Sequence, residues 1–426
     1  MVSTVDNLQQ SLSHIRDDSM AKIVTIPWSN VNYEKDIFNA LIWSRWILRV
    51  LGIWPLVFPY TTKIEKILAT ISFSVCVSAL SFLLIPMTIY TLSDQTVTSD
   101  KIKMLGPLAY VVASVMKYLV LVIRHRSIRR CIHVLSVDWR AVQEEYYRTI
   151  MIKDSVKGHV LSKFCITFIY CGGLCYNTVI PFLSRRPDNE LNSTVGPVTY
   201  PGFDIIFDLR FVPAYVFVFC AQLFSSIIMF NITTAVCCLA AMFVAHACGQ
   251  MGIVMAKVEN LVQNVQSSHM NSKHRIAIIV NHHVQALRFS ARIEDVLNEL
   301  CMVEIMESTL IICLLEYYCL MEWHNNDGFA IMTYIFLLTS FVFNIFMFCY
   351  IGELLTDQCS KVGHISYEIE WYRLPGKTAV DLTLMINMSH HPTKITAGKL
   401  ISLSFSSFGN VLKTSLAYLN LLRTVV

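Results

Sequence analysis

The sequence predicts an all-α, polytopic membrane protein with seven transmembrane helices, a cytosolic N-terminus, and long helices that continue into a cytosolic anchor region. Three observations predict it. Of the 426 residues, 54% are hydrophobic and only 15% are charged, whereas a soluble domain carries about 25% charged residues. Nearly uncharged runs of about 18 or more residues recur along the chain, each long enough to cross the hydrocarbon core as a helix. The Lys and Arg residues gather in alternate segments between those runs, which fixes orientation by the positive-inside rule. The net charge of +4 is too small to argue for nucleic acid. Among the 14 cysteines, Cys76, Cys171, Cys175 and the Cys237–Cys238 pair sit inside apolar runs. They read as small packing residues, and no CxxC pair points to zinc.

Residues 1–60 form the first region. The first 40 are polar and mixed in charge, so no signal peptide is expected and the first span serves as insertion signal. Residues 31–60 are amphipathic, with Trp43, Trp46, Trp54, Arg45 and Arg49 among aliphatic residues. Pro55 and Pro59 break that stretch, which favours an interfacial or re-entrant helix. Residues 61–352 hold six spans, expected at about 64–92, 102–123, 162–183, 209–250, 296–323 and 328–352. The fourth is overlong. From Phe211 to Ala256 the only side chain that can carry a charge near neutral pH is His246, and no Gly, Pro or acidic residue between Ala214 and Cys248 makes a turn. One continuous helix is therefore expected, its inner part leaving the membrane. Residues 353–398 form a cytosolic anchor segment, and 399–426 the seventh helix.

This arrangement puts the basic segments inside. Segment 124–163 carries Arg124, Arg126, Arg129, Arg130, Arg140, Arg148, Lys153, Lys157 and Lys163. Segments 256–295 and 353–399 each carry five more Lys or Arg residues, whereas 93–101 has only Lys101 and 323–328 has none. The sequon at Asn192 then faces outward, as glycosylation requires. The orientation is opposite to that of G-protein-coupled receptors, and neither Asp-Arg-Tyr after span three nor Asn-Pro-x-x-Tyr in span seven is present.

The seventh stretch lacks acidic residues yet is rich in Ser, Thr and Asn. Leu403, Ser407, Asn410, Thr414, Ala417, Leu421 and Val425 recur at a period near 3.5, the spacing of helices packed about a common axis. Such a seam is either a water-facing stripe closed by a hydrophobic constriction or a set of small residues that lets helices approach in lipid. His282–His283 and His390–His391 lack the spacing of a di-iron cluster and read as cytosolic surface or interface histidines. Glu304, Glu307 and Glu316 lie in or beside span five, and Lys117 lies in span two. Charges at that depth face a cavity or a partner. Aromatic residues, Tyr110, Phe168, Tyr176, Tyr215, Phe219, Tyr318 and Tyr334 among them, gather in the outer halves of spans two to six. They suit either a cavity for a small apolar molecule or ordinary packing and an interfacial belt.

The C-terminal third carries Ile369-Glu370-Trp371-Tyr372-Arg373-Leu374-Pro375, then Ile386-Asn387-Met388, then Ser404-Phe405-Ser406 and Leu416-Ala417-Tyr418-Leu419-Asn420-Leu421-Leu422-Arg423. Together with Asp138-Trp139, Tyr147-Arg148-Thr149-Ile150-Met151 and Tyr350-Ile351-Gly352-Glu353, this pattern resembles the insect odorant receptors. The resemblance runs from about residue 40 to the end and is most specific after residue 350. It implies a tetrameric, odorant-gated, non-selective cation channel in the plasma membrane of olfactory sensory neurons, with neither enzymatic activity nor a cofactor. The last helix would line the pore, with the gate at Leu421 and Val425, a polar ring at Thr424, and Asn410 and Thr414 on the wet stripe. The ligand pocket would lie among the outer parts of spans two, three, four and six. That directs attention to Tyr110, Ser114, Phe168, Gly172, Tyr176, Tyr215, Phe219, Met332, Tyr334 and Ile335. The short segment 256–295 resembles an odorant-tuning subunit that assembles with the co-receptor in a hetero-tetramer, since the co-receptor has a long loop there. The gustatory-type chemoreceptor is the nearest alternative, but Ala417-Tyr418 followed by Arg423-Thr424 departs from its ending. A transporter or membrane enzyme built on the span-five glutamates is the alternative of another class, and neither inverted repeats nor broken helices support it.

Overall fold

The computed structural model describes residues 30–58, 61–93, 98–183, 198–200, 202–205, 207, 211–263, 272–324, 328–374 and 376–425. Almost all of them are helical. α1 (Tyr33–Val50) and the short α2 (Trp54–Val57) come first. They bury Leu48, Leu51, Ile53, Trp54 and Val57, while Arg148 reaches back to Asp36 at 2.7 and 3.0 Å. The amphipathic segment is thus tied to the bundle. Thr62 and Glu65 form a capping box that starts α3 (Lys63–Leu92) by satisfying two otherwise orphan amides. α4 (Thr98–Ile123) contains Pro107, which removes a helical hydrogen bond. The Tyr318 hydroxyl donates to the carbonyl of Ile102 in the turn before it, at 2.7 Å. α5 (His125–Ala141) buries Ile128, Cys131, Ile132, Leu135 and Trp139, a helical stripe at the 3.6-residue period.

The four longest helices follow: α6 (Glu145–Leu183), α7 (Val212–Gln263), α8 (Ser272–His324) and α9 (Gly328–Glu368). α7 is a single helix of 52 residues, about 78 Å long, more than twice the thickness of the hydrocarbon core. It is the axis of the molecule, since every residue from Ile228 to Gln250 is buried. α6, α8 and α9 also run on well beyond the apolar stretches that mark them in the sequence. The hydropathy pattern ends where charges begin, whereas the helix continues as an amphipathic rod packed on its neighbours. Among the described residues, five helical stretches are long and apolar enough to cross a membrane: Lys63–Leu92, Met104–Ile123, Glu145–Thr178, Val212–Val262 and Gly328–Glu368. α8 falls outside that group because Glu304, Glu307 and Glu316 interrupt its apolar part.

After α10 (Gly376–Ser389), strands β1 (Thr396–Ala397) and β2 (Ile401–Ser402) pair as a small antiparallel hairpin. Its turn residues, Gly398 and Lys399, have φ of +59° and +61°, the left-handed pair of a type I′ turn. The last helix, α11 (Phe405–Val425), therefore begins six residues after Lys399, where the sequence pattern alone places its start. Leu403 precedes the helix and is buried against Gly352. The seam at period 3.5 thus becomes helical only from Ser407 onward.

Candidate functional site

A cavity of about 550 Å³ lies among α4, α6, α7, α8, α9 and the segment 198–200. Its walls are aromatic: Tyr110, Tyr176, Phe230, Tyr318, Tyr334 and Phe341. Tyr110 meets Phe341 edge to face at a centroid separation of 6.0 Å, and Tyr318 leans on Tyr334 at 5.5 Å. The helical period accounts for the lining. On α8, Ile311, Leu314, Leu315, Tyr318 and Glu322 share one face, and on α9 Tyr334, Leu337, Phe341 and Asn344 do. The segment 198–200 is held by α7. Gln222 accepts from the Tyr200 amide at 3.2 Å and donates to its carbonyl at 2.7 Å, and the Tyr200 and Ser226 hydroxyls lie 3.1 Å apart.

One end of the cavity is polar. Glu304, Thr233 and Asn344 line it, and Lys117 lies immediately behind. The Lys117 ammonium donates to Thr233 at 2.9 Å and to Glu304 at 3.0 Å, and stands 2.8 Å from Glu307. Asn344 donates to the other Glu304 oxygen. All five side chains are almost fully removed from solvent. Such a cluster is costly to bury and persists only if its charges are paired and hydrogen-bonded.

The structure brings Tyr110, Gly172, Tyr176 and Tyr334 to the cavity wall. Six other residues singled out from the sequence lie outside the lining. Ser114 is buried one turn from Tyr110 and donates to its carbonyl at 2.8 Å. Phe168 lies one turn before Gly172 and stacks on Phe343 at 3.7 Å, outside the lining. Tyr215 and Phe219 stack on each other in the first turns of α7. Met332 and Ile335 are exposed, because they fall on the face of α9 opposite Tyr334 and Leu337. The sequence reading did not single out Thr233, Asn344, Tyr200 or Phe230. The available signal was a cation in span two, Lys117, facing two carboxylates one turn apart in span five.

On α11, Ser406, Asn410, Lys413, Ala417 and Asn420 form an exposed stripe, with Thr414 half-buried beside it. The opposite face packs: Ser407, Val411 and Ser415 are buried, Phe408 meets Phe346 edge to face at 5.6 Å, and Ser415 donates to Glu316 of α8 at 3.3 Å. Leu421, Thr424 and Val425 lie in the helical backbone, and their side chains are outside the described residues, as is Asn192 altogether. His390 and His391 are exposed, whereas His283 is fully buried rather than at the surface.

The family model described as "7tm Odorant receptor" matches residues 97–416. Odorant receptor 13a of Drosophila melanogaster is 26% identical over 230 residues, which cover 51% of this chain and 54% of that protein. Odorant receptor 10 of Aedes albopictus is 21% identical over 197 residues, covering 44% and 52%. The chain thus spans about half the length of the curated relatives it matches. In three dimensions it is similar to the insect olfactory receptor OR5 from Machilis hrabei in complex with eugenol. That likeness has a TM-score of 0.73 at 15% identity, covering 93% of this chain and 100% of the other. The same receptor's structure described without eugenol gives 0.70 at 16% identity.

Proposed function

The chain belongs to the 7tm odorant receptor family, and we propose that it is the odorant-binding subunit of a ligand-gated, non-selective cation channel. In this reading seven helices (α3, α4, α6, α7, α8, α9 and α11) cross the plasma membrane of an olfactory sensory neuron with the N-terminus inside. The chain assembles with a co-receptor as a hetero-tetramer, and the exposed stripe of α11 faces a shared aqueous path. The aromatic cavity receives the odorant. The eugenol complex of the Machilis hrabei receptor, whose fold this chain shares, supports a small organic molecule as ligand.

The observation that carries this reading is that one helix serves both sites. α8 lines the cavity with Ile311, Leu314, Leu315 and Tyr318 and touches α11 through Glu316 and Ser415. A ligand that favours one position of α8 therefore favours one position of α11, and population shift follows from differential contact alone. At the outer end of α11, Leu421 and Val425 close the path as a hydrophobic constriction. Thr424, Asn410 and Thr414 wet the remainder.

Filling the cavity tests the reading. A Cβ at Gly106 would meet the Tyr318 hydroxyl at 3.5 Å, so Gly106→Leu projects into the cavity without backbone conflict. Leu337→Trp fills it from α9. With co-receptor present, both variants are expected to need at least tenfold more odorant for half-maximal current, on the order of the 1–3 kcal/mol typical of overpacking, while spontaneous current remains. Unchanged odorant responses in both would overturn the assignment.

A further inference from the structure

Resting on the reading of the cavity as the odorant site, we propose that its ligand carries a hydrogen-bond-donating head, a hydroxyl or an amine. Its O–H or N–H seats against the carboxylate of Glu304, and its apolar body lies along the aromatic walls. The polar end of the cavity offers acceptors, while its strongest donor is already engaged. Lys117 donates to Thr233 at 2.9 Å and to Glu304 at 3.0 Å, forms an ion pair with Glu307 at 2.8 Å, and stands behind the lining rather than in it. Asn344 directs an N–H to Glu304, and its own oxygen lies 3.5 Å from the Cys237 thiol. Each Glu304 oxygen thus accepts one bond, and a carboxylate has about four lone-pair positions, so acceptor capacity remains.

The formal charge points the same way. Two carboxylates, Glu304 and Glu307, face one ammonium, and neither Glu307 oxygen has a geometrically sound hydrogen bond among the described residues. A ligand donor adds a partner to an acceptor-rich, desolvated end. A ketone, ester or ether brings only further lone pairs to the Glu304 carboxylate and forms no hydrogen bond with it. Discrimination built on a buried polar group left unpaired is far steeper than discrimination by one methylene. The aromatic rings give the site breadth in carbon skeleton, and the Glu304 end gives it selectivity in functional group.

The test is a panel of matched skeletons on the wild-type receptor co-expressed with co-receptor, read as current. Each set holds an alcohol, the primary amine, the methyl ether and the ketone of one ring-bearing body. The alcohol or amine is expected to act at concentrations at least about tenfold below its ether and ketone. Ethers or ketones that equal the donors across skeletons overturn the inference. Two variants separate its failure from that of the cavity itself. Gly106→Leu weakens every member if the cavity is the site, whatever the head group does. The triple variant Lys117→Met, Glu304→Leu, Glu307→Leu replaces the whole buried ion cluster by apolar groups, an exchange proteins tolerate. It is expected to reach the surface and to lose the donor preference, and retention of that preference in it also overturns the inference.

Discussion

Lys117 illustrates how much a single residue depends on its partners. Alone on an apolar helix it looks like an expensive charge, and its position marks only that something must face it. The partners, Glu304 and Glu307, are 187 and 190 residues away in sequence, so pairing was beyond the reach of helical periodicity on either span. Lys117→Met by itself is expected to destabilise the fold by about 3–5 kcal/mol, because two buried carboxylates lose their counter-ion. Surface expression and thermal stability in detergent measure this, and the triple apolar variant should recover both. His282 and His283 make a second case. Burial, with Lys257 beside it, pushes the His282 imidazole down to about 4, and burial alone does the same to His283. The unfolded chain takes up these protons near pH 6.5 and the folded one only near 4, so stability is complete above about 6.5 and falls as the pH drops through that window. At pH 5 the loss is about 2 kcal/mol per ring. Both ring nitrogens of His283 lack a hydrogen-bond partner among the described residues. His283→Leu should therefore raise the melting temperature at pH 7 and reduce its fall towards pH 5.

At the scale of elements, the apolar runs locate the helices and miss their lengths. Hydropathy registers apolar length alone, and the more polar continuations of α6, α8 and α9 are stabilised by packing that no single segment reveals. The uninterrupted α7 is legible because the stretch from Ala214 to Cys248 holds no Lys, Arg, Asp, Glu, Gly or Pro and leaves no alternative. The aromatic wall is legible only in part. Tyr110, Tyr176 and Tyr334 reach it, whereas Met332 and Ile335 do not, since rotation of a helix about its axis is set by neighbours rather than by its own apolar content. The motif Tyr350–Glu353 shows the same gap between pattern and cause. A Cβ at Gly352 would stand 2.5 Å from both the Cβ and the carbonyl oxygen of Leu403, and Glu353 accepts the amide of Phe405 at 3.3 Å, where a helix N-terminus favours negative charge. The motif thus seats the start of α11. Gly352→Ala must push that junction away from α9, with an expected loss of about 1–3 kcal/mol and a changed spontaneous current. Wild-type current and melting temperature would contradict it.

At the scale of the molecule, the described chain leaves a polar stripe of α11 uncovered, the face that the proposed assembly would turn toward the shared path. If Leu421 and Val425 form the constriction, Leu421→Ser or Val425→Ser in the assembled channel should raise current without odorant, and quiet channels in both would remove them from that role. In the proposed channel the route from cavity to constriction is mechanical. Among the described residues, α11 is fastened at its first turns: by the hairpin, whose Gly398 amide donates to Asn298 at 2.8 Å, by Leu403 beneath Gly352, and by Phe405 and Phe408 around Phe346. A rod of 21 residues is about 31 Å long. Pivoted at its first turns, it magnifies small rotations, so a tilt of about 5° carries its far tip sideways by about 3 Å and leaves the hairpin almost still. That leverage is enough to swing two aliphatic side chains clear of a narrow opening, and it needs only a slight displacement at the fulcrum.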